Sequence, residues 1–365
     1  MKVLIAGGGT AGHVIPALAV AAALRERGAE VTFVGSADGQ EAVLVPAAGY
    51  AFEAVRAISA QTRLSLRTLR AVAVAIRGAR ALRPLARRAD VVLGVGGSAS
   101  APAILAARWV RRPIVLVEQN SVPGLVNRIA ARWASTVATT FEATAARLPQ
   151  ARRTVRTGNP IRAEIAGVAQ MRDELAAQAR AAFGLEPGRF TVLVVGGSQG
   201  ALQIDRAVAG ALQLLGDRGD LQLLISTGRA HEAVVADAVD PGARLLVHVR
   251  PFIDRMDLAL AVADLVVSRA GAGIAELAAC GVPSVLVPYP YATEDHQAEN
   301  ARELTAAGAA VSITDAGCTP QALAACILGL MDDPERRREM TQAALAWARP
   351  DAAGRVADLI GEAAA

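Results

Sequence analysis

The sequence predicts an α/β protein made of two Rossmann-like domains, each a parallel sheet flanked by helices, facing each other across a cleft. Three observations carry this. Apolar strand-like runs that empty into a glycine turn and then a helical pattern recur near 2–28, 90–107, 189–201 and 264–279. The pattern restarts after Met171, with the loop GGSQGA (196–201) standing where GGGTAG stands in the first half. And 365 residues exceed what one core usually holds.

Composition narrows the class. Apolar residues make up 53%, ample for two buried sheets, yet every apolar run is broken by Arg, Gly or Pro before it reaches bilayer length, so no transmembrane helix is expected. The start, MKVLIAGGGT, reads as a strand and not a secretory signal, which points to the cytoplasm. Cys280, Cys318 and Cys326 are odd in number and lack metal-ligand spacing; buried reduced thiols are expected. The net charge of +4 is unevenly spread: nine arginines and no acid lie between Arg56 and Arg88, interleaved with Ile58, Leu64, Leu66, Leu69, Val72, Val74 and Ile76. That stretch is either a solvated helix face or a surface for anionic lipid head groups. Few aromatics interleave, so a nucleic-acid partner is not expected.

In chain order, a strand over Lys2–Ala6 opens into GGGTAGHVIPALAVAAALRERG (7–28), whose glycines allow close backbone approach to a pyrophosphate and whose His13 lands in the first helical turn. The strand 30–34 follows, ending near Asp38, an acid that a dinucleotide site would want there. Next come the basic helix, a strand at 90–93, the loop GVGGSASAP (94–102), a helix, and a strand at 113–117. That strand delivers Glu118-Gln119-Asn120-Ser121-Val122-Pro123-Gly124 to the carboxyl edge, where open parallel sheets bind ligands. After a strand near Thr136, TGNPIR (157–162) reads as a hinge turn, so the boundary is placed there: residues 1–160 form one domain and 161–349 the other.

In the second half, strands are expected at 189–195, 221–226, 243–247, 264–268 and 284–287, and helices at 319–331, 334–348 and 352–363, the last returning to brace the first domain (350–365). The stretch 264–301 concentrates the chemistry. A strand, the small-residue turn Ala270–Gly273 and a helix start make a phosphate-binding geometry; Glu276, one turn in, would face a neutral hydroxyl pair such as a ribose. Asp295, His296, Gln297 and Asn300 follow as groups able to read sugar hydroxyls. Arg269 is open to either a phosphate or a neighbouring acid, and Phe252 to a base pocket or, preferentially, the core.

Taken together, AGGGTAGHVIPALA (6–19), VLGVGGSASAPAILAA (92–107), EQNSVPGLVNR (118–128), GNPIR (158–162), VVGGSQGA (194–201) and SRAGAGIAELAACGVPSVLVPYP (268–290) resemble the MurG family of bacterial peptidoglycan glycosyltransferases. The resemblance implies a GT-B fold, a peripheral place at the cytoplasmic face of the cell membrane, and inverting transfer of GlcNAc from UDP-GlcNAc to the muramyl 4-hydroxyl of lipid I, giving lipid II. It makes the first domain the acceptor and membrane side, with anionic inner-membrane lipids meeting residues 56–88, and the second the donor side. It places Ile253 beside uracil, Glu276 on the ribose, Ser198 and its loop on phosphate, Arg162 on the donor, and Asn120 and Gln297 on GlcNAc. Thr10, Ala11 and Gly12 fall where the first loop approaches the donor and the acceptor pyrophosphate. Departures from the family pattern are Ala11 for a frequent glycine, Ser98 for a frequent tyrosine, and a turn one residue shorter between Arg269 and Glu276.

A single displacement needs a base for the acceptor hydroxyl and stabilisation of the leaving diphosphate. His13 is assigned the first task because imidazole titrates near working pH, with Glu118 in reserve. Glycine-turn N–H groups and a helix dipole can do the second, so no cofactor and no essential metal are expected. Alternatives are another UDP-sugar enzyme of this architecture, such as a UDP-GlcNAc 2-epimerase, a dinucleotide oxidoreductase resting on 6–12 and Asp38, or a non-catalytic nucleotide-binding protein at the membrane.

Overall fold

The computed structural model describes residues 1–9, 11–58, 66–197 and 200–365. The chain divides into two compact units, Met1–Arg162 with Arg349–Ala365, and Ala163–Ala348. Among the described residues the first unit holds β1 (Lys2–Ala6), β2 (Glu30–Ser36), β3 (Ala51–Val55), β4 (Val91–Gly94), β5 (Ile114–Glu118), β6 (Thr136–Thr139) and β7 (Thr154–Arg156) in the order β3-β2-β1-β4-β5-β6-β7. The second holds β8 (Phe190–Val195), β9 (Leu221–Ser226), β10 (Leu246–Arg250), β11 (Leu265–Ser268), β12 (Ser284–Leu286) and β13 (Ala310–Ser312) in the order β10-β9-β8-β11-β12-β13. All of these strands pair in parallel.

The same doubly wound order in both units fixes a switch point beside β1 and beside β8, where consecutive crossovers leave on opposite faces and the loops part. Central strands carry continuous apolar runs because both faces are covered by helices. In the first unit Ile5, Leu93 and Val115 pack on one face with Val14, Ala17 and Val20, and Leu4, Val92 and Leu116 pack on the other with Ala79, Leu82 and Ile104. The final helix, Ala352–Ala364, joins the former cluster through Val356, Leu359 and Ile360; Arg27 meets Asp358 at 2.6 Å and Arg153 meets Glu362 at 2.7 Å.

Several elements differ from the sequence expectation. β3, β7 and β13 were not anticipated; each lies at a sheet end, where short, half-exposed strands carry no continuous apolar signal. The strand expected at 243–247 starts later because Arg244 and Leu245 donate to the Gly216 carbonyl and close a turn first. The basic helix runs Leu66–Arg88, burying Ala71, Ala79, Leu82 and Ala86 on one stripe and exposing Arg70, Arg77, Arg80, Arg83, Arg87 and Arg88; residues 59–65 lie outside the described set. Cys280 and Cys318 are buried and Cys326 half-buried, all as free thiols, and burial pushes Cys318 up to about 11, so it is unreactive.

His248 on β10 makes stability pH-dependent. Burial, then neighbouring Arg250, holds its imidazole below the ordinary histidine value, with Glu186 opposing. A depressed folded pKa gives stability that is whole above the unfolded value of about 6.5 and is lost as pH falls through the folded one. In urea titrations the midpoint should therefore drop on acidification from about pH 7 to about pH 5.5, and His248→Gln should flatten that slope.

Candidate active site

In the first unit the site begins with strand register. Ala6 pairs with Val34 on one side and Gly94 on the other, so the loops after β1, β2 and β4 leave the sheet side by side. The first and third of these are glycine loops, and they lie against one another: a Cβ on Gly97 would stand 2.5 Å from the Gly8 carbonyl oxygen. His13, in the first turn of the helix Ala11–Glu26, rests on the same second glycine loop, its Nε2 3.2 Å from where a Cβ on Gly96 would be. Asn127 Nδ2 stands 3.6 Å from that same point. His13, the 95–97 loop and Asn127 thus converge. Pro16 has no N–H to donate to the Gly12 carbonyl one turn back.

Behind this cluster Glu118 is fully buried at the end of β5. Its Oε1 accepts from the Asn120 N–H at 3.0 Å, and its Oε2 from the Gly124 N–H at 3.0 Å and from Asn127 Nδ2 at 2.8 Å. Thr144 Oγ1 donates to the Asn120 carbonyl at 3.1 Å, and Gln119 Nε2 to the Val95 carbonyl at 2.9 Å. Burial pushes the Glu118 carboxyl up, while Asn127, Asn120 and Gly124 pull it down. Both Glu118 oxygens thus accept from the 118–127 loop that carries Asn120. Arg162 closes the unit half-buried, after a turn in which Gly158 packs on Arg349, leaving 2.4 Å between a Cβ there and the Arg349 Cβ.

The acid expected at the end of β2 also changes identity. Asp38 is exposed in its turn; the carboxylate that meets the first glycine loop is that of Glu41. A dinucleotide reading loses its ribose acid by this arrangement, since the Glu41 oxygens are engaged with backbone N–H groups of the protein itself.

The second unit repeats the logic. Ser268 pairs with Val195 and Leu286, so the loops after β8, β11 and β12 emerge together. Gln297 accepts from the Tyr289 N–H at 2.9 Å, with its Nε2 3.7 Å from a Cβ position on Gly271; it links the loop after β12 to the turn after β11. Glu276 lies half-buried in the first turn of the helix Ile274–Ala279. Ile253, following β10 at the same carboxyl edge, is buried, whereas Phe252 is 55% exposed and is not the core residue expected. Asn300 is no sugar reader: it is buried, and its Nδ2 donates to the Ala270 carbonyl at 3.0 Å. Arg269 resolves as the partner of Asp315, donating also to the carbonyls of Val287 and Pro288 and lying over the Tyr289 ring. Thr10 and Ser198 lie outside the described residues.

Sequence reasoning missed one pair here. Asp205, fully buried on the helix Leu202–Leu215, stands 3.0 Å from His231 Nδ1, and that nitrogen is 2.9 Å from a Cβ position on Gly200. Burial raises the Asp205 carboxyl, with His231 and Arg269 opposing. The available signal was an acid interrupting an apolar helix stripe between Ile204 and Val208.

With this geometry in hand, the relatives are informative. Residues 3–139 match the glycosyltransferase family 28 N-terminal domain and 191–356 the family 28 C-terminal domain. The chain belongs to glycosyltransferase family 28. The UDP-N-acetylglucosamine--N-acetylmuramyl-(pentapeptide) pyrophosphoryl-undecaprenol N-acetylglucosamine transferase of Halothermothrix orenii is 38% identical, covering 100% of this chain and 99% of its own. The enzyme of the same name from Clavibacter sepedonicus is 42% identical, over 99% and 96%. The crystal structure of Acinetobacter baumannii MurG is 31% identical over 99% of both chains, with a TM-score of 0.76. The two parallel-sheet units are the two Rossmann-like domains of the GT-B fold, within the MurG group of family 28.

The Glu118 arrangement can be tested on stability alone. Glu118→Gln sets an amide NH2 against an N–H donor at one oxygen position, which should cost about 1–3 kcal/mol of unfolding free energy by urea titration.

Proposed function

We propose that this chain is the inverting glycosyltransferase that moves GlcNAc from UDP-GlcNAc to the 4-hydroxyl of MurNAc in lipid I, forming lipid II for peptidoglycan synthesis. The observation that carries the reading is the convergence of His13 on the second glycine loop beside the Asn127–Glu118 pair, at the switch point of the first domain. Full-length likeness to enzymes named for this transfer supports it.

In this reading His13 takes the proton of the acceptor hydroxyl as that oxygen attacks the anomeric carbon and the UDP oxygen departs. Thr10, Ala11 and Gly12 hold the acceptor pyrophosphate and approach the donor. Asn120, oriented through its backbone by Glu118 and Thr144, and Gln297, oriented by Tyr289, bind GlcNAc hydroxyls. Ile253 packs against uracil, Glu276 accepts from the ribose hydroxyls, Ser198 and its loop meet the diphosphate, and Arg162 adds donor affinity. Backbone N–H groups and the positive end of the helix Leu202–Leu215 stabilise charge growing on the leaving UDP.

Membrane attachment at the cytoplasmic face follows from the same reading. No described helix is long and apolar enough to cross a bilayer. The helix Leu66–Arg88 instead exposes Arg70, Arg77, Arg80, Arg83, Arg87 and Arg88 together with Leu69 (60%) and Val72 (50%), and Arg83 lies 5.9 Å from the ring centre of exposed Trp109. A basic face with an apolar edge suits anionic lipid, each arginine contributing about 1 kcal/mol near such a surface.

Incubation with UDP-GlcNAc and a soluble lipid I analogue should yield the disaccharide product; formation of UDP-ManNAc instead would favour an epimerase and defeat the proposal. His13→Ala should lower turnover roughly 10²–10⁴-fold while leaving UDP affinity nearly intact. Sedimentation with anionic vesicles should retain the protein at low salt and release it as the screening length shortens to about 8 Å near 0.15 M; Arg80→Glu with Arg83→Glu should weaken retention.

A further inference from the structure

Glu41 is the least expected group beside the site. Its side chain is 1% exposed, although it opens a short surface helix, Glu41–Ala47. Its Oε2 accepts the Gly9 N–H at 2.8 Å, and its Oε1 the Ser36 N–H at 2.7 Å. Three glycines make the room: a Cβ on Gly8 would stand 2.0 Å from Oε1, on Gly39 2.2 Å from Oε2, and on Gly35 2.4 Å from the Glu41 Cγ. One carboxylate therefore clamps the loop after β1 to the last residue of β2, just ahead of the helix Ala11–Glu26.

That is the seat a dinucleotide pyrophosphate takes in a Rossmann half, at a glycine loop before a helix N-terminus. Burying a carboxylate is costly unless strong donors compensate, and here two charge-assisted N–H bonds and the positive helix end do so. We infer that Glu41 is a built-in anion: it takes the Gly9 N–H that a nucleotide pyrophosphate would take in a Rossmann half, leaves the acceptor pyrophosphate to the residues after Gly9, and fixes the segment from which His13 is presented. Glu41 is thus a positioning residue, acting on the acceptor half-reaction through the 7–13 segment. The kinetic part of the inference rests on the transferase reading; the structural part does not.

Two variants and two readouts test it. Glu41→Gln keeps the volume but turns an NH2 toward one of the two N–H donors; Glu41→Ala vacates a carboxylate-sized space. By amide hydrogen exchange, the segment covering 7–13 should exchange faster in Glu41→Gln while segments of 163–348 stay as in the native protein. In the transfer assay kcat should fall roughly ten- to hundredfold with the KM for UDP-GlcNAc little changed. Formate should restore part of the rate to Glu41→Ala and none to the native enzyme, an effect that simple loss of folded protein would not give. Unchanged exchange over 7–13 in Glu41→Gln overturns the inference whether or not the native chain transfers GlcNAc. With native transfer present, so does a Glu41→Gln enzyme with native kcat. Absence of transfer in the native chain, with faster 7–13 exchange in the variant, would count against the transferase reading and leave the clamp standing.

Discussion

In a parallel sheet every strand ends on the same edge, and that constraint governs both domains. The loops that leave this edge start close to register: β1 and β4 end together at Ala6 and Gly94 with β2 running two residues further, and β8, β11 and β12 end together at Val195, Ser268 and Leu286. Where crossovers part at the switch point, no helix covers the loops, and polar groups can gather without the penalty of a closed core. Each residue assigned to the chemistry and described in the structure lies on such a loop, in the first turn of the helix after it, or, for Arg162 and Gln297, on a segment that leads back to one. The reaction site is thus a consequence of topology before it is a consequence of particular side chains.

The glycines at this edge do less for the ligand than their sequence suggests. A glycine loop after a strand is usually read as room for phosphate. In the first domain much of that room is taken by the protein: Gly97 admits the Gly8 carbonyl, Gly96 the His13 ring, and Gly8, Gly35 and Gly39 the Glu41 side chain. Close packing between loops holds them in one geometry, and a preorganised loop costs little reorganisation when charge moves in the transition state.

Much of this was legible in the sequence. Central strands such as β1, β5 and β9 were found because burial on both faces demands unbroken apolar runs, and the glycine turns marked their ends. Edge strands escaped because β7 and β13 have three residues each and no continuous run. At the carboxyl edges, the positions of His13, in the first helical turn after its glycine loop, and of Gln297, after β12, could be read from the sequence. The burial of Glu41, Asp205 and Glu118 and the partners they meet could not be read there, because these depend on what the fold brings across the edge. Asp38 and Glu41 are three residues apart; only the fold decides which carboxylate turns inward. Phe252 and Ile253 make the same point in apolar form, for the larger side chain is the one left in solvent.

Two buried acids of the first domain then share one explanation. Glu41 and Glu118 each lie beside a loop at the carboxyl ends of the strands, and each is engaged by donors from that loop or from a neighbour: Gly9 and Ser36, then Asn120, Gly124 and Asn127. As sources of stability they are poor choices, since desolvating a carboxylate costs several kcal/mol and its hydrogen bonds do little more than repay this. As sources of order they are strong, because a loop whose N–H groups are bound to a buried anion has few other conformations in which those groups and that charge are both satisfied. Apolar packing could have made these loops more stable without fixing their backbone amides. A transferase that must hold an alcohol, a sugar and a diphosphate in one alignment gains more from fixed amides than from a deeper energy minimum, and the placement of these acids follows that need.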